Sequence, residues 1–251
     1  MLVKLKRKRT IPAALGILLL VIIILAVLYG SSTIKTVKVT GNSYYTEDEI
    51  REILFGTAMD NNTISTYLIN RFGEHKTIPF VERYQVEIVN RHEVEVILYE
   101  KNIVGYVHFM GSNMYFDRDG TIVESSREVL DGICEIKGIT FSKIVFNEKL
   151  ETDIPGLFEQ ILLMTQLFEK YELNIDALYF DETKHIKIFY GDITVELGAA
   201  DNMDIKISEM NDILPELEGK KGTLYLDSLE MGASSSGTYY FKTDKAPEVS
   251  N

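Results

Sequence analysis

Tryptophan is absent from the chain, and cysteine occurs once, as Cys134. A single thiol excludes a fold stapled by intramolecular disulfides, so the folded part must hold together by burying apolar surface. The four histidines, His75, His92, His108 and His185, are scattered, and none stands in an H-E-x-x-H pattern, so the ligand spacing of a zinc enzyme is missing. There is no Walker loop and no dinucleotide fingerprint. The run SSSG at 234–237 is not a nucleophile elbow, which needs G-x-S-x-G, and reads as a loop. These gaps imply neither a cofactor nor a resident metal.

Acid is missing from the start of the chain: the first carboxylate is Glu47. Lys4, Lys6, Arg7, Lys8 and Arg9 instead precede residues 11–29, which carry no charge and include thirteen Leu, Ile or Val among nineteen positions. At about 1.5 Å per residue, nineteen helical residues cover roughly 28 Å, near the thickness of a bilayer's hydrocarbon. Thirteen such side chains favour insertion by roughly 4–8 kcal/mol. The run is longer than the core of a cleaved signal peptide, about 7–15 residues, and no A-x-A-like site follows it. The expectation is an uncleaved transmembrane helix over 11–29, with the basic residues 1–10 cytoplasmic and the rest of the chain outside the cell.

Beyond that run the composition changes. Five of the 26 basic residues precede it and all 38 acidic residues follow it, which leaves 21 bases against 38 acids, a net charge of −17 over residues 31–251. Such a balance argues against nucleic acid, which needs a basic face, and against spreading on anionic lipid. About 220 residues suffice for two domains with cores of their own.

The outer chain opens on IKTVKV, where Ile34, Val37 and Val39 alternate with polar residues, as in a half-buried strand. Gly41 and Asn42 form a turn pair. Thr46 and Glu49 then stand at capping-box spacing ahead of Ile50, Ile53 and Leu54. A second helix is expected over 65–72. Two strands follow, one with Val86 and Ile88, the next with Val94, Val96 and Leu98. The order is β-α-α-β-β, ending near Glu100.

From residue 103 the chain is rich in strands and has two helices. Over 155–171, Leu157, Ile161, Met164, Phe168 and Tyr171 share one helical face, and over 202–217 Met203, Ile207, Met210, Leu214 and Leu217 do the same. Both stripes read as core faces laid on a sheet. Strands are expected at 177–180, 186–190, 194–197, 223–226 and 238–241, and the polar residues 243–251 read as a disordered tail.

The stretch VTGNSYYTEDEI resembles the opening of a POTRA domain, and a POTRA placed directly after a single N-terminal span resembles the FtsQ/DivIB family of bacterial cell-division proteins. IPFV at 78–81, VEVILYEKNIVGYV at 94–107, MYFDRDGTIV at 114–123 and ITVELG at 193–198 follow in the family's order. Arg91, Ile103, Gly105 and Cys134 depart from residues usual in that family. The resemblance implies an α+β chain: a transmembrane helix, an extracytoplasmic POTRA domain over 32–102, and a mixed-sheet β domain with two helices over 103–242. It implies a non-enzymatic scaffold of the division machinery, placed in the cytoplasmic membrane at the division septum. The implied partners are membrane proteins of the FtsB/DivIC and FtsL type and, through them, the septal peptidoglycan synthases. The alternative is a membrane-anchored cell-wall enzyme with a POTRA-like accessory module.

Three features bear on chemistry. DRDG at 117–120 shares part of a calcium loop but lacks its later ligands, and reads as a hairpin turn. Cys134 has no catalytic signature beside it and reads as a small buried hydrophobe. Carboxylates are so abundant that pairs close in sequence carry little weight for or against glycosidase chemistry. The candidate partner-binding residues are Thr238, Tyr239, Tyr240 and Phe241. They lie on the last expected strand, and a last strand is often an edge strand able to receive another chain.

Overall fold

The computed structural model describes residues 10–227 and 239–244, with side chains from residue 15 onward. The fold is α+β with mixed sheets, and it divides into two units between Glu100 and Lys101.

The first helix, α1, covers Thr10–Gly30. The expected transmembrane helix over 11–29 is corrected here: among the described residues, no helix is long and apolar enough to cross a membrane. Described side chains in α1 run over 15–30.

The first unit is built on a three-stranded sheet of order β1-β3-β2. Strand β1 (Thr36–Thr40) buries Val37 and Val39 and exposes the residues between them, as period two requires. It pairs in parallel with β3 (Glu93–Glu100), and β2 (Val81–Asn90) pairs with the other side of β3 antiparallel. Helix α2 (Glu47–Phe55) starts at the expected capping box. The Glu49 N–H donates to Thr46 Oγ1 at 3.3 Å, and the Thr46 N–H donates to Glu49 Oε2 at 2.8 Å. The helix lays Ile50 and Leu54 on the buried row Val94, Val96 and Leu98. Gly41 is required where it stands: its φ is +76°, and a Cβ there would lie 2.4 Å from the Leu98 carbonyl oxygen. Helix α3 (Thr63–Phe72) begins two residues earlier than expected, because Asn62 caps it by accepting from the Ile64 N–H at 3.0 Å. The element order of the unit after α1 is therefore β-α-α-β-β.

The second unit is one nine-stranded sheet of order β12-β11-β10-β9-β8-β7-β4-β5-β6. Strands β4 (Gly105–Phe109), β5 (Ser112–Phe116) and β6 (Ile122–Ser126) form a meander at one end. DRDG makes the turn from β5 to β6: Asp117 Oδ1 accepts from the N–H groups of Asp119 and Thr121. The middle holds β7 (Glu135–Lys137), β8 (Ala177–Phe180), β9 (Ile186–Tyr190) and β10 (Ile193–Gly198). At the far end stand β11 (Gly222–Tyr225) and β12 (Tyr240–Thr243). The pairs β4–β7, β7–β8 and β10–β11 are parallel and the others antiparallel, which makes the sheet mixed.

Helices α4 (Leu157–Lys170) and α5 (Met203–Ile213) bury their apolar stripes in the core that the sheet supplies. Met164, Met203 and Met210 sit in that core, as their spacing predicts. The expected helix over 202–217 breaks: α5 ends at Ile213 and Leu214–Leu217 forms a 3-10 turn. Pro215 has no N–H to continue the α-helical ladder. Lys206, on α5, is the one charged residue that is buried among the described residues, and its ammonium donates to the Ala199 carbonyl at 3.0 Å and to Asp201 Oδ1 at 2.7 Å. Thr243, read from sequence as opening a disordered tail, instead closes β12, and the Asp244 N–H donates to the Lys221 carbonyl at 3.1 Å. Residues 245–251 and the SSSG run lie outside the described residues.

Candidate functional site

Strand β12 is an edge of the nine-stranded sheet. One side pairs antiparallel with β11 in the register Gly222↔Thr243, Thr223↔Lys242, Leu224↔Phe241 and Tyr225↔Tyr240. Its other side pairs with no strand among the described residues. An open edge of this kind presents backbone N–H and C=O groups to whatever approaches.

Glycine at 222 is what lets β12 come this close. A Cβ there would lie 2.2 Å from the Lys242 carbonyl oxygen and 2.9 Å from the Phe241 ring. Any larger residue would push the last strand off its neighbour.

The register separates the aromatics by face. Phe241 stands in the row Ile188, Val195, Leu224 and Phe241, which points into the core beneath the helices. Tyr240 stands in the row Lys187, Glu196, Tyr225 and Tyr240 on the opposite face. There its ring stacks on Tyr225, with centroids 4.3 Å apart and planes 11° from parallel, and its residue surface remains 54% exposed. Glu196 in the same row accepts from the Lys187 ammonium at 2.8 Å. Removal from water raises the Tyr240 hydroxyl above its ordinary pKa, and the neighbouring Tyr225, Asp227 and Glu196 push in the same direction. At neutral pH it is therefore an uncharged group that both donates and accepts.

Of the four residues singled out from sequence, Thr238 lies outside the described residues. Tyr239 is exposed just before β12, Tyr240 is exposed within it, and Phe241 is half-buried against the core. The structure thus splits Tyr240 from Phe241 and brings Tyr225 under Tyr240. Sequence reading passed over Tyr225. The signal was present, since Tyr225 alternates with the buried Leu224 and Leu226, but nothing local says which strand lies beside it.

A cleft of about 680 Å³ is lined by Arg118, Cys134, Thr165, Gln166 and Glu169, among others. Burial, first of all, pushes the Cys134 thiol up to about 12, so it is protonated and a poor nucleophile at neutral pH. Among the described residues no group of three His, Cys, Asp or Glu side chains is placed to hold a metal ion.

No family model matches the chain, and no curated protein matches it.

Proposed function

We propose that this chain is a non-enzymatic scaffold of the bacterial division machinery, acting at the cell membrane of the septum. The partners would be single-span proteins of the FtsB/DivIC and FtsL type, with the septal peptidoglycan synthases reached through them. Two things support the reading. One is the run of FtsQ/DivIB-like motifs through the chain, in order. The other, which carries it, is the open edge of β12 with the exposed Tyr240 beside it. A strand added there gains main-chain hydrogen bonds, and the Tyr225–Tyr240 stack supplies rigid aromatic area next to them.

The test is deletion of residues 237–251 from the full chain, followed by recovery of membrane proteins in mild detergent. The expected result is a folded second unit, read from its amide protection, that no longer recovers the small coiled-coil partners. Full recovery by a folded truncation would place the docking surface elsewhere. Turnover of a cell-wall substrate by the purified chain would favour the enzyme reading instead.

A further inference from the structure

Helix α3 is turned inside out relative to its composition. The residues it buries are Thr63, Ser65 and Thr66. The residues it exposes include Ile64, Tyr67, Leu68 and Phe72, with Phe72 at 79% and Tyr67 at 59%. Their spacings of three, four and eight make one continuous stripe along the helix. An amphipathic helix ordinarily turns such a stripe to the core, so an outward stripe marks a contact surface.

The polar face is occupied for a specific reason: it holds the end of α1. Tyr29 Oη lies 3.0 Å from Ser65 Oγ. The Asn62 amide donates to the Tyr29 carbonyl at 2.7 Å, and both the Thr63 N–H and its hydroxyl donate to the Ser32 carbonyl at 2.9 Å. The described side chains of α1 are themselves apolar, uncharged and exposed from Leu15 to Tyr29. Two exposed apolar surfaces therefore meet where α1 ends and α3 begins.

The side chains that bond the connector after α1 are basic, while the carboxylates nearest it and α3, Glu93 and Asp60, are paired with Lys38 and Lys76. The connector at 31–35 carries one charged residue, Lys35. The titratable side chains that bond it are Arg91, on Ser31 Oγ at 3.4 Å, His92, on the Thr33 carbonyl at 2.9 Å, and Arg51, on the Lys35 carbonyl at 3.1 Å. Apolar and aromatic side chains bordered by cations are what the boundary between acyl chains and phosphate headgroups accepts.

We infer that the outer face of α3 seats on a lipid bilayer at the headgroup boundary, continuous with the exposed apolar surface of α1. The inference does not require any helix to cross the bilayer, and it stands apart from the scaffold reading, since no division partner enters it. A second copy or a partner helix would have to cover both the α3 stripe and the uncharged surface of α1, whereas one lipid phase covers both.

The absence of tryptophan makes the test direct. Phe72→Trp, Tyr67→Trp and, as a reference, Tyr99→Trp are prepared in the full chain, each giving a single reporter. Tyr99 lies on β3, on the face of the three-stranded sheet away from the helices, beneath the Arg83 guanidinium at 3.8 Å. Each variant is added to phosphatidylcholine vesicles with and without brominated acyl chains. The expected result is a blue shift and bromine quenching at positions 67 and 72, and neither at 99. In the unsubstituted chain, hydrogen exchange should show the α3 amides gaining protection on vesicle addition. Equal quenching at all three positions, or unquenched reporters with α3 protection unchanged, would overturn the inference. So would a blue shift that grows with protein concentration and ignores bromine, which would assign the stripe to a second copy.

Discussion

Thr46 shows how much one residue decides at a helix start. Its hydroxyl accepts the Glu49 N–H, and the Glu49 carboxylate returns the bond, so two otherwise orphaned donors are satisfied together. Thr46→Ala is expected to cost about 0.5–2 kcal/mol, read as a lower unfolding midpoint of the first unit. Lys76 acts at the other end of the same helix. Its ammonium donates to the Ile53 and Leu54 carbonyls and to Asp60 Oδ2 at 2.8 Å. That hydrogen bond from Lys76 is the main reason the Asp60 carboxyl is held below its usual range. A depressed carboxyl contributes its stability fully above the unfolded value, near 3.9 as a rough figure, and loses it as pH falls through the lower folded value. Asp60→Asn should therefore lower the midpoint at pH 7 and make little difference in acid below both values. A gap between the two proteins that stayed constant down to that acid range would show that the pair does not act through its charge.

At the scale of elements, β12 depends on a neighbour's missing side chain. Gly222→Val would drive a Cβ into the Lys242 carbonyl and separate β12 from β11. The expected outcome is fast amide exchange at residues 240–243 with β8, β9 and β10 still protected, together with loss of partner recovery. Protection at 240–243 equal to that of the parent chain would show that the last strand tolerates a displaced neighbour. Helix α3 gives the complementary lesson. Its 3.6-residue spacing is plain in the sequence, yet periodicity states only that a stripe exists. Which side faces inward was decided by the polar bonds to Tyr29 and Ser32, 31 or more positions away in the chain. The break after Ile213, by contrast, has a local signal in Pro215.

On the scale of the whole molecule, the described residues form two separate apolar clusters, one in each unit. Ile161 sits in the larger with no exposed surface. Ile161→Ala is expected to cost about 2–5 kcal/mol, because the packed sheet and α5 collapse only partly into the space left. Hydrogen exchange should then show protection lost across β8–β10 while the β3 amides hold theirs. Equal loss in β3 would show that the two clusters unfold as one. The acidity of residues 31–251 belongs to this scale as well, since 21 bases against 38 acids offer little of the basic face that nucleic acid needs.

The α+β class was what the resemblance implied; the residues themselves carried the order β-α-α-β-β up to Glu100, the capping box, the two core helices and a last strand placed two residues early. These rest on spacings of two, three or four residues, and interactions at that range are written where they act. The sequence overreached on α1, since among the described residues no helix is long and apolar enough to cross a membrane, and on Thr243, which belongs to a strand. Only the tertiary structure decided that β12 lies at an edge, that Tyr225 stacks beneath Tyr240, and that α3 turns its apolar stripe outward. Each of those depends on which distant segment arrives alongside, and a local pattern carries no record of its neighbours across a sheet or against a helix.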